Sequence, residues 1–271
     1  MYPENQEEIV LHGGNVSEVV RIGDTVRRTL KRGSYTIHKL LRHLEAAEFS
    51  GAPRYIGQDE KEREVLSFMP GETYSAQYPF IPVELRSDEV LAETARLLRS
   101  YHDATVGFAH EPTDNWQMSY PGKEIADVIC HNDAAPYNLV YRNGMPRAII
   151  DFDNACPGPR IWDLVYLMYT AIPLTRYTPT QEGEDMVEYD PLLHAGKRKI
   201  SVETFFNAYG MQRPVDWLDH LIRRLEDLCD TMIKRAASGE VAFQKMISDG
   251  HLAHYRKEIE FIRSYGRDWL T

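Results

Sequence analysis

The stretch HNDAAPYNLVYRNGMPRAIIDFDNACPGPRIWD, residues 131–163, constrains this chain more than any other. Two apolar runs, YNLVYR and PRAIIDF, flank Asn143-Gly144, a dipeptide that favours the tight turn of a two-residue hairpin. Around that hairpin lie four Asp and four Asn residues. A core has no use for so many carboxylates and amides unless each finds a partner. A hairpin brings its outer ends together, so Asn138, at the start of the first strand, and Asp151, at the end of the second, are expected to be neighbours. An amide oxygen beside a carboxylate is a hard-oxygen site. It suits Mg2+, which takes one or two protein carboxylates and fills its shell with water and phosphate. Asp133, five residues before Asn138, is expected across the loop as the acceptor of a hydroxyl proton.

The rest of the chain divides in character near residue 70. Before it come short β-like runs, EEIVLHGG and SEVVRIG, then a Gly-Asp turn into TVRR. A helix is expected over 34–48, with Ile37, Leu40, Leu41 and Leu44 on one face and Ser34 as its cap. A hairpin ending in EVLSFM stops at Pro70-Gly71. After it, SDEVLAETARLLRSYHDAT and PVDWLDHLIRRLEDLCDTMIKRAASG read as amphipathic helices, and a last helical region is interrupted near Gly250. The expected architecture is α+β and bilobal: a small β-rich lobe at residues 1–69 and a larger, mainly helical lobe at 70–271.

Charge and composition bound the function. The net charge is -10, which argues against nucleic acid as a partner. No run of about 20 apolar residues exists, so no membrane partner is expected. The opening MYPENQEEIV is acidic and has no apolar segment, and the three Cys form no disulfide or zinc spacing; both fit a cytoplasmic protein. The charge is uneven. Arg21, Arg27, Arg28, Lys31 and Arg32 cluster early, and Glu182, Glu184, Asp185, Glu188 and Asp190 cluster late. The oligomeric state is not readable.

HNDAAPYN resembles the H-x-D-x-x-x-x-N catalytic loop of the aminoglycoside phosphotransferase and choline kinase superfamily, and IIDFDNACPGPRIWDLVY resembles that family's metal segment. The resemblance implies a protein-kinase-like fold and an O-phosphotransferase that moves the γ-phosphate of ATP or GTP with Mg2+. It implies Asp133 as the catalytic base and Asn138 and Asp151 as metal ligands. It implies Gly13, Gly14, Ser17 and Arg27 on the phosphates, with Arg28 as the alternative register. It implies the backbone of Ser67, Phe68 and Met69 on the nucleotide base. The expected strand Lys is Arg here, and helix 34–48 offers His38 where an acid is usual, so the usual ion pair is missing. These two departures motivate an alternative, a nucleotide-binding pseudokinase acting as a regulatory module. Asp-Phe-Asp in place of Asp-Phe-Gly points away from a protein kinase.

His131 is expected to bond loop backbone, and Asp163 to anchor the loop from the base of an apolar helix. Asp153 is open between a supporting role and a turn role. The late acid cluster, with Asp227 and Asp230, favours a cationic acceptor such as an aminoglycoside or amino alcohol.

Overall fold

The computed structural model describes residues 8–11, 19–180 and 185–270. They form two compact units. The first holds residues through Tyr78, then Ser100–Tyr120 and Glu124–Pro159; the second holds Pro79–Arg99, Pro121–Lys123 and the chain from Arg160.

The first unit is built on a five-stranded antiparallel sheet. Its strands are β1 (Ile9–Leu11), β2 (Val19–Ile22), β3 (Thr25–Arg28), β4 (Tyr55–Gln58) and β5 (Glu64–Ser67), in the order β1-β2-β3-β5-β4. Helix α1 (Ser34–Ala46) packs on β4. Its apolar stripe is the expected one: Ile37, Leu40, Leu41 and Leu44 are all buried. Ser34 is not the cap. Gly33 takes that position in the left-handed region, and the Ser34 hydroxyl instead accepts from the Lys31 N–H at 2.8 Å. Helix α2 (Asp88–Thr105) is shared between the units.

Strand β6 (Val128–Cys130) leads into the loop that carries Asp133. The short turn Pro136–Asn138 follows, then the hairpin of β7 (Leu139–Arg142) and β8 (Met145–Ile149). Asn143 and Gly144 both have positive φ, 52° and 72°, as the two central residues of a tight hairpin turn require. Strand β9 (Cys156–Gly158) returns to pair with β6. Gly71 makes the segment after β5 possible. Its peptide bridges Tyr141 through Glu72, and a Cβ at Gly71 would stand 2.4 Å from the Tyr141 carbonyl oxygen.

The second unit is helical. It contains α3 (Arg160–Ala171), α4 (Pro191–Tyr209), α5 (Trp217–Ala237), α6 (Val241–Ser248) and α7 (His251–Tyr265), with a small hairpin of β10 (Tyr177–Pro179) and β11 (Met186–Glu188). Helix α5 packs on α3, α6 and α7, and Trp217, Leu221, Leu225 and Met232 are buried along it. The break expected near Gly250 falls between α6 and α7, where Gly250 has φ 90°. Among the described residues, no helix is long and apolar enough to cross a membrane.

Candidate active site

The loop 131–138 is fixed from beneath. His131 is fully buried, and its ring bridges two backbone groups: Nε2 to the Ile150 carbonyl at 3.1 Å and Nδ1 to the Asp133 N–H at 3.3 Å. These contacts assign the tautomer, because Nε2 must donate and Nδ1 must accept. Asn132, at φ 64°, donates Nδ2 to the Asn154 carbonyl at 2.9 Å and to Cys156 Sγ at 3.1 Å. The bend that carries Asp133 is thus held to Ile150, Asn154 and Cys156 of the segment after the hairpin.

Asp133 is half-buried and well supplied with donors. Asn138 Nδ2 donates to its Oδ2 at 3.0 Å and also to its backbone carbonyl at 3.0 Å. The Tyr137 hydroxyl donates to Oδ1 at 2.7 Å. Tyr137 is not among the residues expected from the sequence; its available signal is an O–H four residues from an acid in a tight turn.

The hairpin brings Asn138 beside the end of β8 as expected. The Ile150 N–H donates to the Asn138 carbonyl at 2.9 Å, one residue from Asp151. Asp151 holds φ 65° and ψ 66°, a left-handed backbone uncommon for a residue with a side chain. Its side chain is 47% exposed and bonds Arg28 through Oδ1 at 3.1 Å. Among the described residues, Asp151 Oδ2 and the Asn138 amide oxygen have no protein partner. These two hard oxygens fit a divalent cation that keeps several waters.

Asp153 is different. It is buried, and both its oxygens are taken, Oδ1 by Arg28 Nη2 at 2.6 Å and Oδ2 by Lys31 Nζ at 2.6 Å. Burial pushes its carboxyl up, and the two cations overcome that and hold it below its ordinary value. Asp153 therefore supports the cations, while Asp151 keeps one oxygen open among the described residues.

The strand register sends the two arginines to opposite faces of β3. Arg28 and Glu64 are Cα partners across β3 and β5. The Arg28 guanidinium bonds Glu64 through Nε, and Asp151 and Asp153 through its two other nitrogens. Burial alone would pull Arg28 down, but Asp153, Glu64 and Asp151 push it well above its usual value, so it is permanently charged. Arg27 faces the other side of the strand, where it bonds Thr25 and lies 3.9 Å from Asp59. It is Arg28, the alternative register, that the structure brings to Asp151.

The missing helix acid is supplied elsewhere. Glu64 on β5 holds Arg28 with one oxygen and meets His38 Nε2 of α1 with the other at 2.6 Å. His38 is stacked on Tyr55 at 3.7 Å between ring centroids. Helix and strand have exchanged partners: the strand gives the carboxylate, and the helix gives the group that steadies it. Glu64 had no role in the sequence reading.

Among the three residues at the end of β5, the backbone is unequally free. The Ser67 N–H donates to the Arg54 carbonyl at 2.9 Å and the Phe68 N–H to the Asp24 carbonyl at 2.8 Å. Among the described residues, the Met69 N–H has no partner. Gly13, Gly14 and Ser17 lie outside the described residues. Asp163 is buried at the start of α3, 1% exposed.

Residues 115–191, which include the loop 131–138 and the segment 150–163, match the model of the phosphotransferase enzyme family. The chain is 37% identical over 212 residues to the trifolitoxin immunity protein of Rhizobium leguminosarum bv. trifolii, covering 76% of each chain. It is similar in fold to a choline/ethanolamine kinase family protein from Mesorhizobium loti, with a TM-score of 0.62 at 14% identity over 99% of this chain and 92% of that one. It is also similar to the streptomycin–ATP ternary complex of APH(2")-IIa, with a TM-score of 0.53 at 15% identity over 94% and 92% of the two chains. The fold is therefore the α+β, protein-kinase-like one, and the chain belongs to the phosphotransferase enzyme family as a small-molecule kinase.

Proposed function

We propose that this protein transfers the γ-phosphate of ATP to a hydroxyl of a small cationic acceptor. The observation that carries the reading is the arrangement of Asp133, Asn138 and Asp151 around one hairpin, with Arg28 against Asp151. The ATP in the APH(2")-IIa complex supports that nucleotide over GTP. The reading keeps a nucleotide-binding lobe in residues 1–69 and a catalytic and acceptor-binding lobe in 70–271.

Asp133 accepts the acceptor's hydroxyl proton as the oxygen bonds to the γ-phosphorus and ADP leaves. Asn138 holds that carboxylate through Oδ2 and His131 fixes the backbone N–H beneath it, so little reorganisation remains for the reacting state. Arg28 supplies fixed positive charge to the phosphates, taking the role first given to Arg27. Gly13, Gly14 and Ser17 belong to the same proposal as the phosphate-covering turn. The Met69 N–H is the donor for the nucleotide base. Asn138 and Asp151 would hold Mg2+, whose chemistry is to offset charge on the phosphate oxygens.

The cationic acceptor rests on charge. Glu182, Glu184, Asp185, Glu188 and Asp190 stand together in the sequence, and Asp227 and Asp230 add acid on α5. Burial raises the Asp227 carboxyl above its ordinary value, and a cation beside it would bring it back down. The test is a transfer screen over aminoglycosides, amino alcohols, sugars and nucleosides, with ATP and GTP. A neutral or anionic best acceptor would overturn the charge argument.

A second reading has its own observation, the 37% identity to an immunity protein. There the acceptor hydroxyl belongs to a toxin, and phosphorylation inactivates it. Protection of sensitive cells by the wild-type chain but not by Asp133→Asn would support it. Equal protection by both would remove it.

A further inference from the structure

Asp133 does not stand with open oxygens. Tyr137 donates its phenol hydrogen to Oδ1 at 2.7 Å, while Asn138 takes Oδ2 at 3.0 Å. The phenol is therefore an O–H group seated on the base, the same chemical group as the acceptor hydroxyl. Its position is fixed by more than that bond. The turn Pro136–Asn138 sets its backbone, and its ring meets the edge of Tyr78 at 5.1 Å and 79°. Both tyrosines are half-buried.

Resting on the reading of Asp133 as the base, we propose that Tyr137 caps it until an acceptor arrives, so that water does not take the acceptor's place. A bare carboxylate oxygen in a polar cleft would order a water at hydrogen-bond distance. That water could lose its proton to Asp133 as its oxygen bonds to the γ-phosphorus, releasing ADP and inorganic phosphate. With Tyr137 in place, an incoming O–H competes with the phenol for Oδ1. One hydrogen bond replaces another, so the exchange itself gains little. An acceptor brings binding energy from the rest of its structure to drive that displacement, and water brings none. Tyr137 is thus a positioning residue that favours transfer over hydrolysis.

The test compares Tyr137→Phe with wild type in Mg2+-ATP, measuring phosphate release without acceptor and the ratio of transfer to hydrolysis with the best acceptor of the screen. Acceptor-free phosphate release is expected to rise about fivefold, the scale of one exchanged hydrogen bond, and the ratio to fall. Tyr78→Leu removes the ring that steadies the phenol and is expected to move both readings in the same direction, by less. Unchanged or slower release in a folded Tyr137→Phe protein that binds ATP would overturn the proposal. If wild type neither releases phosphate nor phosphorylates any acceptor, the assignment of Asp133 itself falls, a distinct result.

Discussion

His38 Nε2 and Glu64 Oε2 lie 2.6 Å apart, with only 2% and 1% of these residues exposed. Glu64 turns its other oxygen to Arg28, so a three-residue chain runs from helix α1 through β5 to β3 and ends on Asp151 and Asp153. Every member but Asp151 is buried or nearly so, and the links are therefore shielded from solvent and salt.

Removing the charge at Glu64 is expected to be costly. Glu64→Gln keeps the shape but leaves Arg28 and His38 with a weaker acceptor. Breaking one partner of a buried pair costs about 3–5 kcal/mol. The lower end applies here, because Arg28 keeps Asp151 and Asp153. A denaturant melt would check it, and a loss under 1 kcal/mol would show that the link is energetically idle.

Arg28→Ala is expected to weaken ATP binding by about tenfold or more, the scale of a charge-assisted bond to phosphate. Arg27→Ala is expected to change it little, because Arg27 is engaged with Thr25 and Asp59 on the other face of β3. Calorimetric titration of both variants decides this. A larger effect at Arg27 would return the phosphate role to it.

Asp151→Asn is expected to lower Mg2+ affinity together with turnover, and excess Mg2+ to restore part of the loss. Asp153→Asn is expected to act differently, since its two oxygens hold Arg28 and Lys31. Its loss should weaken folding, and added Mg2+ should not rescue it. Metal titration beside thermal melting separates the two. Equal rescue of both variants would contradict the division of roles.

Much of this was legible in the sequence where local pattern decides the outcome. The apolar stripe of α1, the Asn143-Gly144 turn and the break at Gly250 each follow from short-range rules, and each is present. Helix α4 was not read. It buries Arg198 and Ser201 beside Val202, Phe205 and Phe206, while Leu192 and Leu193 are exposed, so its apolar periodicity is blurred. Strand β11 was hidden for a similar reason, being three residues inside an acidic run. Glu64 was invisible because its partners are 26 and 36 residues away. The choice between Arg27 and Arg28 depended on which face of a four-residue strand meets Glu64, and two adjacent arginines carry no pattern to decide it.

The central claim is that Asp133 accepts the proton of an acceptor hydroxyl. The most direct measurement is the phosphate-transfer rate of Asp133→Asn, with ATP affinity measured on the same preparation. ATP is expected still to bind with Mg2+ at near wild-type affinity while transfer slows by roughly 10²–10⁴, the scale of a positioned general base. Transfer at the wild-type rate in this variant would contradict it.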